Sequence, residues 1–276
     1  MIVIAGRPVH PSMLRSEWAF NAEQQEIIRR MAASPEMFAY PSVDQLLFEL
    51  KLRDHLIKSS RALYMSGLAF STFEHSRCNP EFWIRTEQGG FQLRDEVRPS
   101  EGIIDIFRNG RMYATECATA MVIILYHAVL HSIRRDDFEQ LFANLLLYDW
   151  RYDKDLQLST IPTNTFLPGD ILYFDNPDHN PLTPQWQGEN AVYLGAGLYY
   201  GHGAGIRPAP SMISFLNEQR KPGAARSAYL VSQATRPGFS YLSRFNDNGN
   251  GGLIRGQITQ MSSRIIAEIG LLYEEC

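Results

Sequence analysis

Cys117 stands in Thr-Glu-Cys-Ala-Thr-Ala, residues 115–120, just before the apolar run Met121–Leu125. A thiol reacts as its thiolate. The first turn of a helix favours that form through unpaired N–H groups and the positive end of the helix dipole. The same N–H groups suit the oxyanion of an acyl transfer. Thr115 is the expected N-cap, which puts Glu116 and Cys117 in the first helical turn. Residue type alone leaves a second reading open, because free cysteine often packs as a small buried hydrophobe. Downstream, Glu189 in Gly-Glu-Asn and His202 in Gly-His-Gly are the titratable partners to consider. By type, a glutamate on a strand is a solvated charge. Glu116 gains about 0.3–1 kcal/mol from the helix dipole whether or not it is catalytic. For His202 three roles stand open: orienting a carboxylate, holding a hairpin, or acting as the base.

These residues need a helix and strands to carry them. Ser42-Val43-Asp44-Gln45 has the form of a capping box, and Leu46, Leu47, Leu50, Ile57 and Leu63 keep helical spacing up to Gly67. A shorter helix is expected over Glu23–Ala33, another from Pro99-Ser100 to Asn109-Gly110, and the thiol-bearing one over 115–131. Phe82–Thr86 and Phe91–Leu93 flank Glu-Gln-Gly-Gly as a hairpin. Short strands follow at Leu145–Leu147, Ile171–Phe174, Ala191–Leu194 and Leu198–Tyr200, then a helix over Ser211–Arg220 and a last strand at Tyr229–Val231. This pattern predicts one α+β domain over 1–245. Residues 246–276 read as an appended tail, a turn in Asn-Asp-Asn-Gly-Asn-Gly-Gly followed by a helix.

Composition excludes several classes. Hydrophobic residues make up 45% and charged residues 20% of 276, enough apolar material for a sizeable core. A net charge of -4 argues against a nucleic-acid or polybasic membrane surface. The apolar runs at the start and at Met121–Leu125 are too short for a signal peptide or a membrane span, so a soluble protein made in the cytoplasm is expected. Cys78, Cys117 and Cys276 share no Cys-x-x-Cys spacing, and an odd count suits single thiols rather than disulfides or a zinc knuckle.

Leu-Pro-Gly-Asp-Ile-Leu-Tyr-Phe, 167–174, then Gly-Glu-Asn-Ala-Val-Tyr-Leu-Gly, 188–195, then Gly-His-Gly-Ala-Gly-Ile, 201–206, follow the helix-borne cysteine. This order resembles the papain-like cell-wall endopeptidases of bacteria, with Glu189 where they keep the catalytic histidine. The resemblance implies a nucleophile-bearing helix packed on an antiparallel sheet. With Phe-Glu-Leu-Lys-Leu-Arg at 48–53, Glu-Cys-Ala-Thr-Ala at 116–120, Tyr-Asp-Trp at 148–150, Trp-Gln-Gly-Glu-Asn at 186–190 and Ser-Ala-Tyr-Leu-Val-Ser-Gln-Ala-Thr-Arg at 227–236, the chain resembles the small transglutaminases of spore-forming bacteria. These are the protein-glutamine gamma-glutamyltransferases of the spore coat. The resemblance spans nearly everything before residue 240 and does not extend to the tail. It implies Cys117 as nucleophile, Glu189 as catalytic carboxylate, Glu116 as its partial substitute and His202 near the site. It also implies no calcium or other cofactor, protein substrates bearing reactive Gln and Lys side chains, and deposition in the spore coat. A hydrolase that sends the acyl group to water and a non-catalytic coat scaffold are the competing readings.

The chemistry sets further expectations. A carboxyl that delivers a proton to ammonia and takes one from an amine needs a raised pKa, which burial supplies. Trp150, Tyr173, Trp186 and Tyr193 flank the shared stretches and are the aromatics expected to line a dry site, with core packing as their other reading. Cys117, Glu189 and His202 should converge, with a Glu189 oxygen within hydrogen-bond reach of the sulfur. His127 and His131 have metal-ligand spacing but no third ligand in the sequence, so two polar residues on a half-buried helix face are expected and no metal is assigned. Asn246–Gln257 fits a calcium-loop register, but neutral amides stand where carboxylates belong, so a turn is expected there.

Overall fold

The computed structural model describes residues 1–247, apart from the side chains of 15–17. The expected tail helix and the calcium-loop string lie outside that range, save Asn246 and Asp247.

The long helix Val43–Ser66 begins and ends where its sequence signals lie. Ser42 accepts the Gln45 N–H at 3.4 Å, and Gly67 closes the helix at φ 84°, a conformation that glycine adopts without strain. Helix Ala22–Ala33 has the complete capping box, formed by Asn21 and Gln24. Helix Pro99–Arg108 and the hairpin Trp83–Arg85 with Phe91–Leu93 fall within a residue or two of expectation. Helix Cys117–Leu130 is buried on nearly every side, as its unbroken apolar run demands. It packs against the long helix and against strand Gly188–Gly195.

The main sheet has seven strands. Its path runs Gly205–Pro208, Leu198–Gly201, Gly188–Gly195, Ile171–Asp175, Gln233–Arg236, Ser159–Pro162, with Tyr229–Leu230 pairing beside Ile171–Asp175. All its pairings are antiparallel. Tyr229–Leu230 is therefore not the last strand. Gln233–Arg236 follows it and carries Ser159–Pro162, neither of which shows a clear period in so few residues. The main core lies between this sheet and the two central helices. A second core covers the opposite sheet face against helix Ala209–Asn217. A third gathers the small sheet of Ile2–Ile4, Arg7–Pro8 and Phe38–Tyr40 beside helix Ala22–Ala33.

A buried ionic network ties these parts together. Arg53, fully buried on the long helix, donates to Glu49 at 2.8 Å and to Asp170 at 2.7 Å. Arg236 donates to both Asp170 oxygens at 2.8 Å, and the Leu167 N–H donates to Asp170 at 2.9 Å. Burial alone would raise the Asp170 carboxyl; Arg53 and Arg236 outweigh it and hold the group below its usual value. Thus Phe-Glu-Leu-Lys-Leu-Arg and the Gln-Ala-Thr-Arg end of the last strand meet at the Gly-Asp turn, as one structural joint.

Candidate active site

The helix cap differs from expectation. Thr115 lies in the short strand Ala114–Thr115, paired with Ala69–Phe70, and Glu116 is the N-cap. Its carboxylate accepts the Ala118 and Thr119 N–H groups at 2.6 Å each. An ionised acceptor with two oxygens satisfies two orphan donors where Thr115 would satisfy one. Those two N–H groups are therefore spent on the cap. Burial raises the Glu116 pKa, and the cap bonds oppose the rise.

Cys117 opens the helix, half-buried, on a cleft of about 820 Å3. Its thiol is pushed up, first by burial and then by the charges of Glu189 and Glu116. The net shift is therefore opposite to what the helix start suggested from sequence, because burial and the two carboxyls raise the thiol. The direct partner of the sulfur is Asn190, whose Nδ2 donates at 3.6 Å. Sequence reasoning passed over Asn190, although it follows Glu189 in the quoted motif. The signal was strand alternation: neighbours on a strand project to opposite faces, so only one of them meets the sulfur directly.

Glu189 is fully buried, and neither of its oxygens has a hydrogen-bond partner. The expected bond to the sulfur is not formed. The two groups are still near enough that Glu189, when ionised, raises the thiol. Burial, and then the Glu116 charge, lift the Glu189 carboxyl well above its usual value, which favours its protonated form. Its side chain lies against Gly201, where an added Cβ would meet Oε1 at 2.6 Å. That accounts for the first glycine of Gly-His-Gly. The second, Gly203, sits at φ +106° against the Phe70 ring.

His202 is buried against the paired strands that precede the thiol helix. Its Nε2 is 3.2 Å from the Ala69 carbonyl and its Nδ1 is 3.2 Å from the Tyr200 hydroxyl. The tautomer that satisfies both is neutral, donating from Nε2 and accepting at Nδ1. Burial lowers its pKa to about 4. The histidine ties the hairpin to the strand ahead of Cys117 and bonds neither Glu189 nor the sulfur.

Of the four expected aromatics, Trp150 and Tyr173 line the cleft. Trp186 stacks on Phe70 at 4.8 Å, and Phe70 is itself a wall of the cleft. Tyr193 belongs to the core on the other sheet face, 5.0 Å from Tyr199. Strand alternation again explains it, since Tyr193 is an odd number of residues from Asn190. Phe73 and Tyr152 complete the aromatic wall from loops with no periodicity to betray them. His127 and His131 place their Nε2 atoms 3.2 Å apart, with His127 held by Ser59 and stacked on Phe107. Among the described residues no group of three His, Cys, Asp or Glu is arranged to hold a metal.

A half-buried thiol flanked by two carboxyls, opening on an aromatic cleft, suits acyl transfer, and comparison with known proteins agrees. The family model "TGL: Protein-glutamine gamma-glutamyltransferase" matches residues 1–246. A protein-glutamine gamma-glutamyltransferase of Bacillus mycoides (strain KBAB4) is 45% identical over 270 residues, 98% of both chains. That alignment runs past residue 246, so likeness to relatives reaches the tail, contrary to the sequence reading. The enzyme of Bacillus cereus (strain AH820) is 48% identical over 236 residues, 86% of both chains. Among solved structures, the transglutaminase from Geobacillus stearothermophilus without its C-terminal extension is 55% identical, with a TM-score of 0.73, covering 76% of this chain and 100% of that one. With residues 1–246 matched by the family model and 98% of the chain aligned with a relative 45% identical, the protein belongs to the protein-glutamine gamma-glutamyltransferase family and is an acyltransferase of that kind.

Proposed function

We propose that this enzyme joins proteins by ε-(γ-glutamyl)lysine bonds through a thioester on Cys117, releasing ammonia, and that it does so in the spore coat. The observation that carries the mechanism is Glu189, a buried carboxyl with both oxygens unpartnered beside the thiol and its pKa raised by that burial. It turns toward the sulfur or the leaving nitrogen without breaking a bond. As Cys117 attacks the glutamine γ-carboxamide, Glu189 gives its proton to the departing nitrogen, and its carboxylate receives the proton from sulfur. In the second half it takes a proton from the attacking lysine amine and returns one to sulfur as the isopeptide bond forms. Glu116, ionised in its cap, raises the proton affinity of both groups. The helix-borne thiol against an antiparallel sheet supports a papain-like core. The aromatic wall supports a preference for the amine over water, because it limits hydration of the thioester. No cofactor takes part.

The spore coat as the place of action, after synthesis in the cytoplasm, is supported by the likeness to Bacillus enzymes. The test is incorporation of a labelled primary amine into a glutamine-bearing protein. Wild type should incorporate it and release ammonia, and Cys117→Ala should do neither while keeping its circular dichroism and Tm. Ammonia release without amine incorporation would make the enzyme a hydrolase instead. Cross-linking of coat extract proteins, absent with Cys117→Ala, tests the setting.

A further inference from the structure

We infer that Asn190 supplies the oxyanion donor of this enzyme from its side-chain amide. The first step creates a need for one. Sulfur bonds to the amide carbon, the C=O π pair moves onto oxygen, and the resulting O⁻ requires donors until the C=O re-forms and the C–N bond breaks with loss of ammonia. Helix N–H groups are the usual source beside a helix-borne nucleophile. Here the N–H groups of Ala118 and Thr119 are both held by the Glu116 carboxylate at 2.6 Å, so neither can turn to substrate. Glu189 is an unsuitable donor to the same oxygen, because its proton is needed at the leaving nitrogen. His202 has both ring nitrogens engaged.

Asn190 remains. It lines the cleft together with Cys117, on a strand of the main sheet. Its Nδ2 stands 3.6 Å from the sulfur. A donor that close to the sulfur can reach an oxygen on a carbon bonded to that sulfur, where about 2.7–3.1 Å is needed. The backbone N–H of Asn190 also faces the thiol and pulls its pKa down, so one residue presents two donors. The strand fixes both, since Asn190 pairs with Tyr173 in the antiparallel ladder.

This inference rests on the thioester reading above, and its test separates the two. Asn190→Ala removes the side-chain donor. Asn190→Val does the same with a β-favouring residue, should alanine not fold. Losing one oxyanion donor typically costs about 10²–10³ in kcat. Ammonia release and amine incorporation should fall together by that factor, with KM for the glutamine donor changed less than about threefold. Alkylation of Cys117 by iodoacetamide has no oxyanion and reports only the Asn190 bond to the sulfur, so its rate should fall by much less than turnover does. A parallel fall in alkylation would assign Asn190 to the thiolate and overturn the inference, as would unchanged turnover. If wild type releases ammonia but incorporates no amine, the cross-linking reading fails while the Asn190 effect on ammonia release can still be read.

Discussion

A carboxyl buried without a hydrogen bond is costly to keep, so Glu189 needs a reason that packing does not provide. Proton transfer is that reason, and it makes two measurements informative. Glu189→Gln should lower amine incorporation by roughly 10²–10⁴, the range for losing a general acid or base. Should Glu189→Gln approach wild type while Glu116→Gln is inactive, the two roles are exchanged. Stability carries an independent sign. The Glu189 pKa in the folded protein is raised above the ordinary 4.5. Its contribution is thus full below that value and lost as pH rises through the folded pKa. Glu189→Gln has no proton to lose, so its Tm relative to wild type should climb from about pH 5 to about pH 8. A difference that is flat or declines with pH would mean that the carboxyl is ionised in the folded state.

At the level of elements, the site depends on how the thiol helix and strand Gly188–Gly195 are held against each other. The helix start is fixed by Glu116, and the strand's neighbour, Ile171–Asp175, is anchored at the Gly-Asp turn by Asp170. Asp170→Ala would leave Arg53 buried with only Glu49 as its carboxylate partner and free Arg236 from the turn. Breaking a buried pair from one side costs about 3–5 kcal/mol, and that loss should appear as a lower midpoint in urea unfolding. A loss below about 1 kcal/mol would mean that water reaches the guanidiniums and that the joint is not dry. Arg236→Lys should also destabilise, since an ammonium cannot make the two parallel bonds to Asp170.

For the whole molecule the open matter is the calcium-loop register in the tail. Lys51 donates to the Asn246 side chain and to the Asp247 carbonyl, so the chain is tied to the long helix up to that point. Truncation should therefore follow Asp247. The proposed chemistry uses a thiol, two carboxyls and an amide, with no step that a cation would polarise. Amine incorporation should be unchanged by excess EDTA in the full chain and in the chain ending at Asp247. A several-fold loss on chelation, restored by calcium and absent after truncation, would make the tail a metal-dependent switch. Among the described residues no helix is long and apolar enough to cross a membrane.

How much was legible in the residues themselves varied with the range of the interaction. Local signals held: the Ser42 and Gly67 ends of the long helix, the Glu-Gln-Gly-Gly hairpin, and the apolar run behind Cys117 each act within a few residues. The candidate set of Cys117, Glu116, Glu189 and His202 was also legible, because the quoted stretches recur in one order along a chain that resembles a known family. The ionisation of these groups was not. The thiol was expected to be lowered by the helix start, and it is raised because the fold buries it and sets Glu189 and Glu116 beside it. Tyr193 and Asn190 are three residues apart, yet only Asn190 reaches the cleft, because the sheet assigns one to each face. His202 satisfies its ring on Ala69, which is far away in sequence. Sequence by itself determined which groups are present and which local elements carry them. Burial, partner choice and proton affinity belong to the tertiary structure, because each depends on which distant side chains exclude water from the same few ångströms.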